Sequence, residues 1–258
     1  MCGIFGCVGQ MHMDKAYECI HRIAHRGPDA LAVKPLKGIV LAHARLSILD
    51  TSVDANQPMP DQSGRYWIVY NGEIYNFLEL RQELKYLGYN FRTDGDTEVV
   101  LYSYIEWGED FQKKCNGMWS LAIWDNVKEE LFLSRDRFGI KPLYYYREDN
   151  NFYFASEIKA FFPIMKEKNI NYNIFEKGDY LGFESTQECC VRDVKKIQAG
   201  YYGYLREGTL SLYRWWNTLD NLMEIPEKYE EQVKYLRELL LDACRIRMRS
   251  DVPIGTAL

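Results

Sequence analysis

The chain has 258 residues, 47% hydrophobic and 27% charged, which is enough to bury a substantial core and ordinary for a soluble globular protein. The formal net charge of −5, without a long basic run, gives no electrostatic case for nucleic acid. With no apolar stretch of about 18 residues, and a start (MCGIFGCVGQ) lacking a basic leader, a membrane span and a signal peptide are not expected and a cytoplasmic setting is the default.

The first element, CGIFGCV, is an apolar run suited to a buried strand, and it begins on Cys2. If Met1 is removed, Cys2 carries a thiol and a free α-amine on one carbon, with reference pKa values of about 8.5 and 8. One residue then serves as nucleophile and, directly or through a water, as base. Without a pocket around it, the same cysteine is simply the start of a strand.

A first helix is expected over Asp14 to His25, followed by strands in KGIVLAHARLSIL and RYWIVYNG. His21 and His25 have helical i, i+4 spacing, but no third ligand accompanies them and no metal is expected. Helical spacing recurs in FLELRQELKYL (77–87) and DTEVVLYSYIEW (96–107), with Asp96 placed as an N-cap. The strands WSLAIWD, ELFLSRD, PLYYYRE and NFYFAS follow. This order argues for an α+β fold of two antiparallel sheets with helices packed outside. The seven cysteines are odd in number and lack framework spacing, so they read as reduced thiols. After about Arg206, REGTLSLYRWW reads as a last strand and exit linker, and Glu227 to Arg249 as an amphipathic helix. Its apolar face holds Tyr229, Val233, Leu236 and Leu240, and SDVPIGTAL then reads as a strand. Left uncovered, that face would favour self-association as a homodimer.

Hydrolysing an amide takes a nucleophile, donors for the oxyanion, and groups that hold the substrate. Asn71 has a side-chain NH2 and Gly72 an unobstructed backbone N–H, in a segment that reads as strand leading into helix. Arg45, at a strand end, can grip a carboxylate, while Glu73 and Asp96 could together bind an ammonium. A ligand with α-carboxylate, α-ammonium and side-chain amide is glutamine or asparagine. Spacing alone does not bring these residues together.

The stretches MCGIFG (1–6), HRGPD (25–29), ARLSILD (44–50), NQPM (56–59), YNGEIYN (70–76), DGDTEVVL (94–101), SRDRFGIKPLYY (134–145) and ASEIKAF (155–161) carry a resemblance. In that order they resemble the class II, N-terminal-nucleophile glutamine amidotransferase domain of glutamine-hydrolysing asparagine synthetases. The resemblance implies a four-layer αββα sandwich, with Cys2 as nucleophile and Asn71 and Gly72 as the oxyanion hole. It implies that Arg45 binds the carboxylate of L-glutamine, that Leu46 and Leu49 lie in a backbone-contact segment, and that Glu73 and Asp96 hold the α-amino group. It further implies a glutaminase domain over 1–207, a linker over 208–227, and the first helix and strand of an α/β synthetase domain over 228–258. In the family, SDVPxGxxL leads into the ATP-binding loop SGGxDS, so the sequence is expected to be truncated before it. ATP and magnesium are then expected only for a synthetase domain, or a partner chain, that accepts the ammonia. A proline-bearing connector usual in the family is not found over 176–202. A related synthetase with another acceptor, or a glutamine-binding module without turnover, would present the same front half.

Overall fold

A computed structural model describes residues 1–176 and 186–255. In chain order the strands begin with β1 (Gly3–Val8), β2 (Ala30–Leu36), β3 (Ile39–Arg45), β4 (Met59–Pro60), β5 (Tyr66–Ile74) and β6 (Gly117–Asp125). They continue with β7 (Glu130–Arg135), β8 (Tyr144–Glu148), β9 (Asn151–Ala155), β10 (Lys195–Lys196), β11 (Tyr201–Arg206) and β12 (Thr209–Arg214). The helices are α1 (Met13–His21), α2 (Phe77–Tyr86), α3 (Asp96–Trp107), α4 (Phe111–Lys114), α5 (Tyr172–Glu176) and α6 (Tyr229–Arg247).

Two six-stranded sheets result, in the orders β10-β8-β9-β1-β3-β2 and β12-β11-β7-β6-β5-β4, with antiparallel pairing throughout. Alternate side chains of a strand point to opposite faces, and here both faces are covered. Phe5 and Cys7 pack with Cys19 and Ile20 of α1, whereas Ile4 joins Leu41, Val69, Ala122 and Phe154 between the sheets. On the far side Ile68, Tyr70, Leu121 and Ile123 pack under Leu80 and Leu84 of α2 and Val99 and Val100 of α3. Helix, sheet, sheet, helix is the four-layer αββα sandwich.

Several elements differ from the sequence reading. α1 ends at His21, and a 3-10 turn over Ala24–Arg26 replaces its expected last turn. β3 stops at Arg45, leaving 46–49 as a loop, and Asn71 and Gly72 lie inside β5 opposite Ser120 and Trp119. The N-cap of α3 is Gly95, because the Asp96 carboxylate is turned to other partners. The last strand expected in REGTLSLYRWW is β12, which pairs with β11 along six residues and so takes up the start of the 208–227 stretch given as linker. Residues 250–255 form no strand, and 256–258 lie outside the described residues, as do 177–185 of the stretch without the connector. Helix α6 keeps Tyr229, Val233, Leu236 and Leu240 exposed and buries only Ile246.

Candidate active site

The start of β1 is fixed from both sides. The Ile4 amide donates to Ser156 Oγ at 3.0 Å, and the Ser156 amide returns to the Ile4 carbonyl at 3.0 Å. Arg26 Nε donates to the Cys2 carbonyl at 2.9 Å while its Nη1 pairs with Glu157 at 2.9 Å. The Cys2 sulfur faces the backbone of Leu46, whose N–H approaches it at 3.5 Å and whose carbonyl lies at 3.7 Å. Burial pushes the Cys2 thiol pKa up, and the Leu46 backbone bond opposes it.

Strand β5 supplies the opposite wall. In a strand the N–H groups of residues i, i+2 and i+4 point to one edge. The Tyr70 N–H on this edge donates to Gln57 Oε1 at 2.6 Å, and the Ile74 N–H to Asp96 Oδ2 at 2.9 Å. Gly72, between them, aims its N–H to the same side, away from β6, whose Trp119 turns its own N–H and carbonyl to Asp136. A Cβ on Gly72 would lie 2.4 Å from the Met118 carbonyl oxygen and 2.8 Å from Trp119 Cα, so glycine is required by backbone neighbours that cannot yield. The neighbouring Asn71 side chain is buried, with Nδ2 3.5 Å from Ser120 Oγ and Oδ1 without a partner among the described residues. A half-turn of that amide lets the Ser120 hydroxyl donate to Oδ1 and frees the NH2 for a ligand oxygen.

Arg45 is buried and clamped by its own loop. Nη1 donates to the Ser52 carbonyl at 2.6 Å and to Asn56 Oδ1 at 2.7 Å, and Nη2 to the Asp50 carbonyl. A guanidinium has five N–H donors, so Nε and an Nη2 hydrogen remain for a carboxylate. Asp96 is buried, and its Oδ2 also accepts the Tyr70 hydroxyl at 2.8 Å. Burial raises the Asp96 pKa against those donors. Burial and the charge of Asp96 raise Glu73 to about 7. Neither carboxylate has an ion-pair partner among the described residues, which suits the two to an ammonium. His43 is wholly buried, which lowers its pKa to about 4, so its neutral ring donates from Nε2 to the Tyr70 carbonyl at 3.1 Å.

One cavity brings these residues together. Cys2, Arg45, Leu46 and Leu49 line one side, with Asn71, Gly72, Glu73 and Asp96 on the other. Its volume is about 120 Å³. One water needs roughly 10–15 Å³ on that measure, so the space suits a ligand of about ten heavy atoms. Met118, Gln57 and Lys141 also line it and were not singled out from the sequence, nor was Arg26 behind Cys2. For Arg26, Gln57 and Lys141 the signal lay in the motifs HRGPD, NQPM and GIKP, short polar or glycine-bearing runs between apolar strands, whereas Met118 falls in none of them. His21 and His25 bond separately to the Tyr17 carbonyl and to Glu157. Among the described residues no three His, Cys, Asp or Glu side chains cluster as metal ligands, and no helix is long and apolar enough to cross a membrane.

Comparison with known proteins gives the family of this chain. The family described as "Glutamine amidotransferase domain" matches residues 1–216. The chain is similar to asparagine synthetase [glutamine-hydrolyzing] 1 of Bacillus subtilis, at 36% identity over 92% of this chain and 37% of the relative. It is equally similar, at 36%, to a putative asparagine synthetase [glutamine-hydrolyzing] 2 of Methanocaldococcus jannaschii, over 100% of this chain and 54% of the relative. The chain thus spans about half or less of the length of these relatives. Among solved structures, glutamine phosphoribosylpyrophosphate amidotransferase of B. subtilis superposes with a TM-score of 0.63 at 19% identity, over 83% of this chain and 49% of that one, which shows a shared fold. With the match covering most of its length, the chain belongs to the glutamine amidotransferase domain family.

Proposed function

We propose that this domain hydrolyses the side-chain amide of L-glutamine, with Cys2 as nucleophile once Met1 has been removed. The observation that carries this reading is the Cys2 sulfur sharing one small cavity with the Gly72 edge of β5. Arg45 takes the α-carboxylate, Glu73 and Asp96 the α-ammonium, and the loop at Leu46 and Leu49 lies along the substrate. The thiol passes its proton to the α-amine as sulfur bonds to the amide carbon, and the oxyanion is met by Asn71 Nδ2 and Gly72 N–H. The protonated amine then gives its proton to the departing nitrogen, releasing ammonia. Water resolves the thioester to glutamate and restores the thiol.

The relatives' names support aspartate amidation as the use of that ammonia, at an ATP- and magnesium-dependent synthetase domain or partner chain. On this reading residues 228–255 lead toward that acceptor, and the exposed face of α6 is covered by it. A concentration-dependent rise in sedimentation coefficient would instead assign that face to a second copy in a homodimer. All seven cysteines are free, in keeping with a cytoplasmic setting. The purified chain should release glutamate from glutamine but no aspartate from asparagine, whose amide falls one methylene short of Cys2. Absence of any turnover in protein shown to lack Met1 would reject the reading.

A further inference from the structure

Lys141 is the unexplained charge of this site. It is buried at 4% exposure, lines the cavity that holds Cys2, and among the described residues has no carboxylate within ion-pair distance. Among the described residues its ammonium meets only the Met1 sulfur, at 3.0 Å. The backbone is firmly held: Lys141 N–H donates to Asp136 Oδ2 at 3.0 Å and its carbonyl accepts from Arg135 Nε at 2.8 Å. Burying an ammonium without a counter-charge is costly, and such a cost is commonly borne at a working site.

The contact with Met1 gives the direction of the side chain. Nζ stands on the amino-terminal side of Cys2, and processing removes the thioether that meets it. We propose that Lys141 is a positioning residue for the amino-terminal nucleophile, its fixed positive charge favouring the free amine and the thiolate of processed Cys2. The inference rests on Cys2 being the nucleophile. A nearby cation disfavours protonating an amine and favours ionising a thiol, so both effects have the same sign. The other charged groups facing Lys141 are Arg26, Glu73 and Asp136, together with Cys2 itself. Arg26 acts in the same sense as Lys141, and the two carboxylates oppose it. Burial lowers the pKa of Lys141 and Arg26 adds to that, while Glu73, Asp136 and Cys2 favour its charged form.

The test uses the full chain, shown by intact mass to lack Met1, as wild type, Lys141→Met, Lys141→Gln and Lys141→Arg. Two pH profiles are measured from pH 5.5 to 9.5: kcat/KM for glutamate release, and the rate of iodoacetamide alkylation read on the amino-terminal peptide. In both neutral variants the acidic limb of each profile should move up by about one pH unit, a loss of up to tenfold below the limb. Lys141→Arg should restore the wild-type limb. Limbs that coincide with wild type in either neutral variant, with an unchanged thermal midpoint, overturn the proposal. Alkylation needs no substrate: if wild type alkylates at Cys2 but releases no glutamate, the glutaminase reading fails while the Lys141 inference is still decided.

Discussion

The backbone amide of Asp50 donates to Asp251 Oδ2 at 2.7 Å, and the Asp251 amide returns to the Ile48 carbonyl at 3.1 Å. Residues 201 positions apart thereby hold the loop whose carbonyls grip Arg45. Nearby, Arg249 pairs with both carboxylate oxygens of Glu79 at 2.6 Å and donates to the Tyr75 carbonyl at 2.5 Å. Asp251→Ala removes one acceptor worth about 0.5–1.5 kcal/mol. Its KM for glutamine should rise by up to about tenfold with kcat little changed, measured by initial rates of glutamate release. An unchanged KM would mean that the loop holds its shape unaided.

Cys2→Ala should abolish glutamate release and leave the thermal midpoint within a few degrees of wild type, since the side chain lies at the cavity and outside the core clusters. Intact mass of the active protein should show Met1 missing. Retained activity in the alanine variant would exclude Cys2 as nucleophile.

For Arg45, two losses combine in the alanine variant: the proposed carboxylate contact and the donors to the Ser52 and Asp50 carbonyls. Removing one partner of a buried charged pair costs about 2–5 kcal/mol, so kcat/KM should fall by two orders of magnitude or more. Arg45→Lys should not rescue it, because one ammonium cannot serve the loop and a planar carboxylate together. Glutamine titration in a calorimeter checks the binding share.

Gly72→Ala should cost about 1–3 kcal/mol of stability and most of the activity, because the new methyl meets backbone of the paired strand. Denaturant unfolding and turnover on the same preparation test both halves. A fully stable, fully active alanine variant would show that β5 moves freely there, contrary to its nine-residue pairing with β6.

Glu73 makes the site pH-sensitive. Burial and Asp96 raise its folded pKa to about 7 from the ordinary 4.5. Between those values the folded state keeps a proton that the unfolded state has released, so this group's contribution to stability falls as pH rises from about 4.5 to 7. Binding an ammonium needs the ionised form, so KM for glutamine should worsen as pH drops below about 7. In Glu73→Gln the stability slope should flatten and the KM trend largely disappear. Thermal melts and KM measured at half-unit pH steps provide the check.

The strands and helices that flank the cavity were legible because apolar runs and helical spacing are local properties. YNGEIYN and ARLSILD mark the site as turn-like and charged residues set against buried strands. What the sequence withheld was spatial. Asn71 and Gly72 read as the passage from strand to helix, since asparagine and glycine favour such breaks, yet neighbours hold them within a strand. Asp96 looked like a helix cap, but Tyr70 and Ile74, more than twenty residues away, claim its carboxylate. β2 and β11 escaped notice because Lys34-Pro35 and the tyrosine-rich run at 201–204 blur the alternation that marks a strand. Lys141 gives no periodic signal at all, being a lysine in a loop until the fold buries it.

Cys2 leads into β1 and Arg45 ends β3 of one sheet while Gly72 lies in β5 of the other, with Ile4, Leu41, Val69 and Ala122 filling the seam. The machinery is therefore divided between two plates whose spacing is set by hydrocarbon. A methyl removed from that seam changes the gap the nucleophile must cross. Turnover should then report on packing more sensitively than a melting curve, falling in variants such as Val69→Ala that still unfold cooperatively.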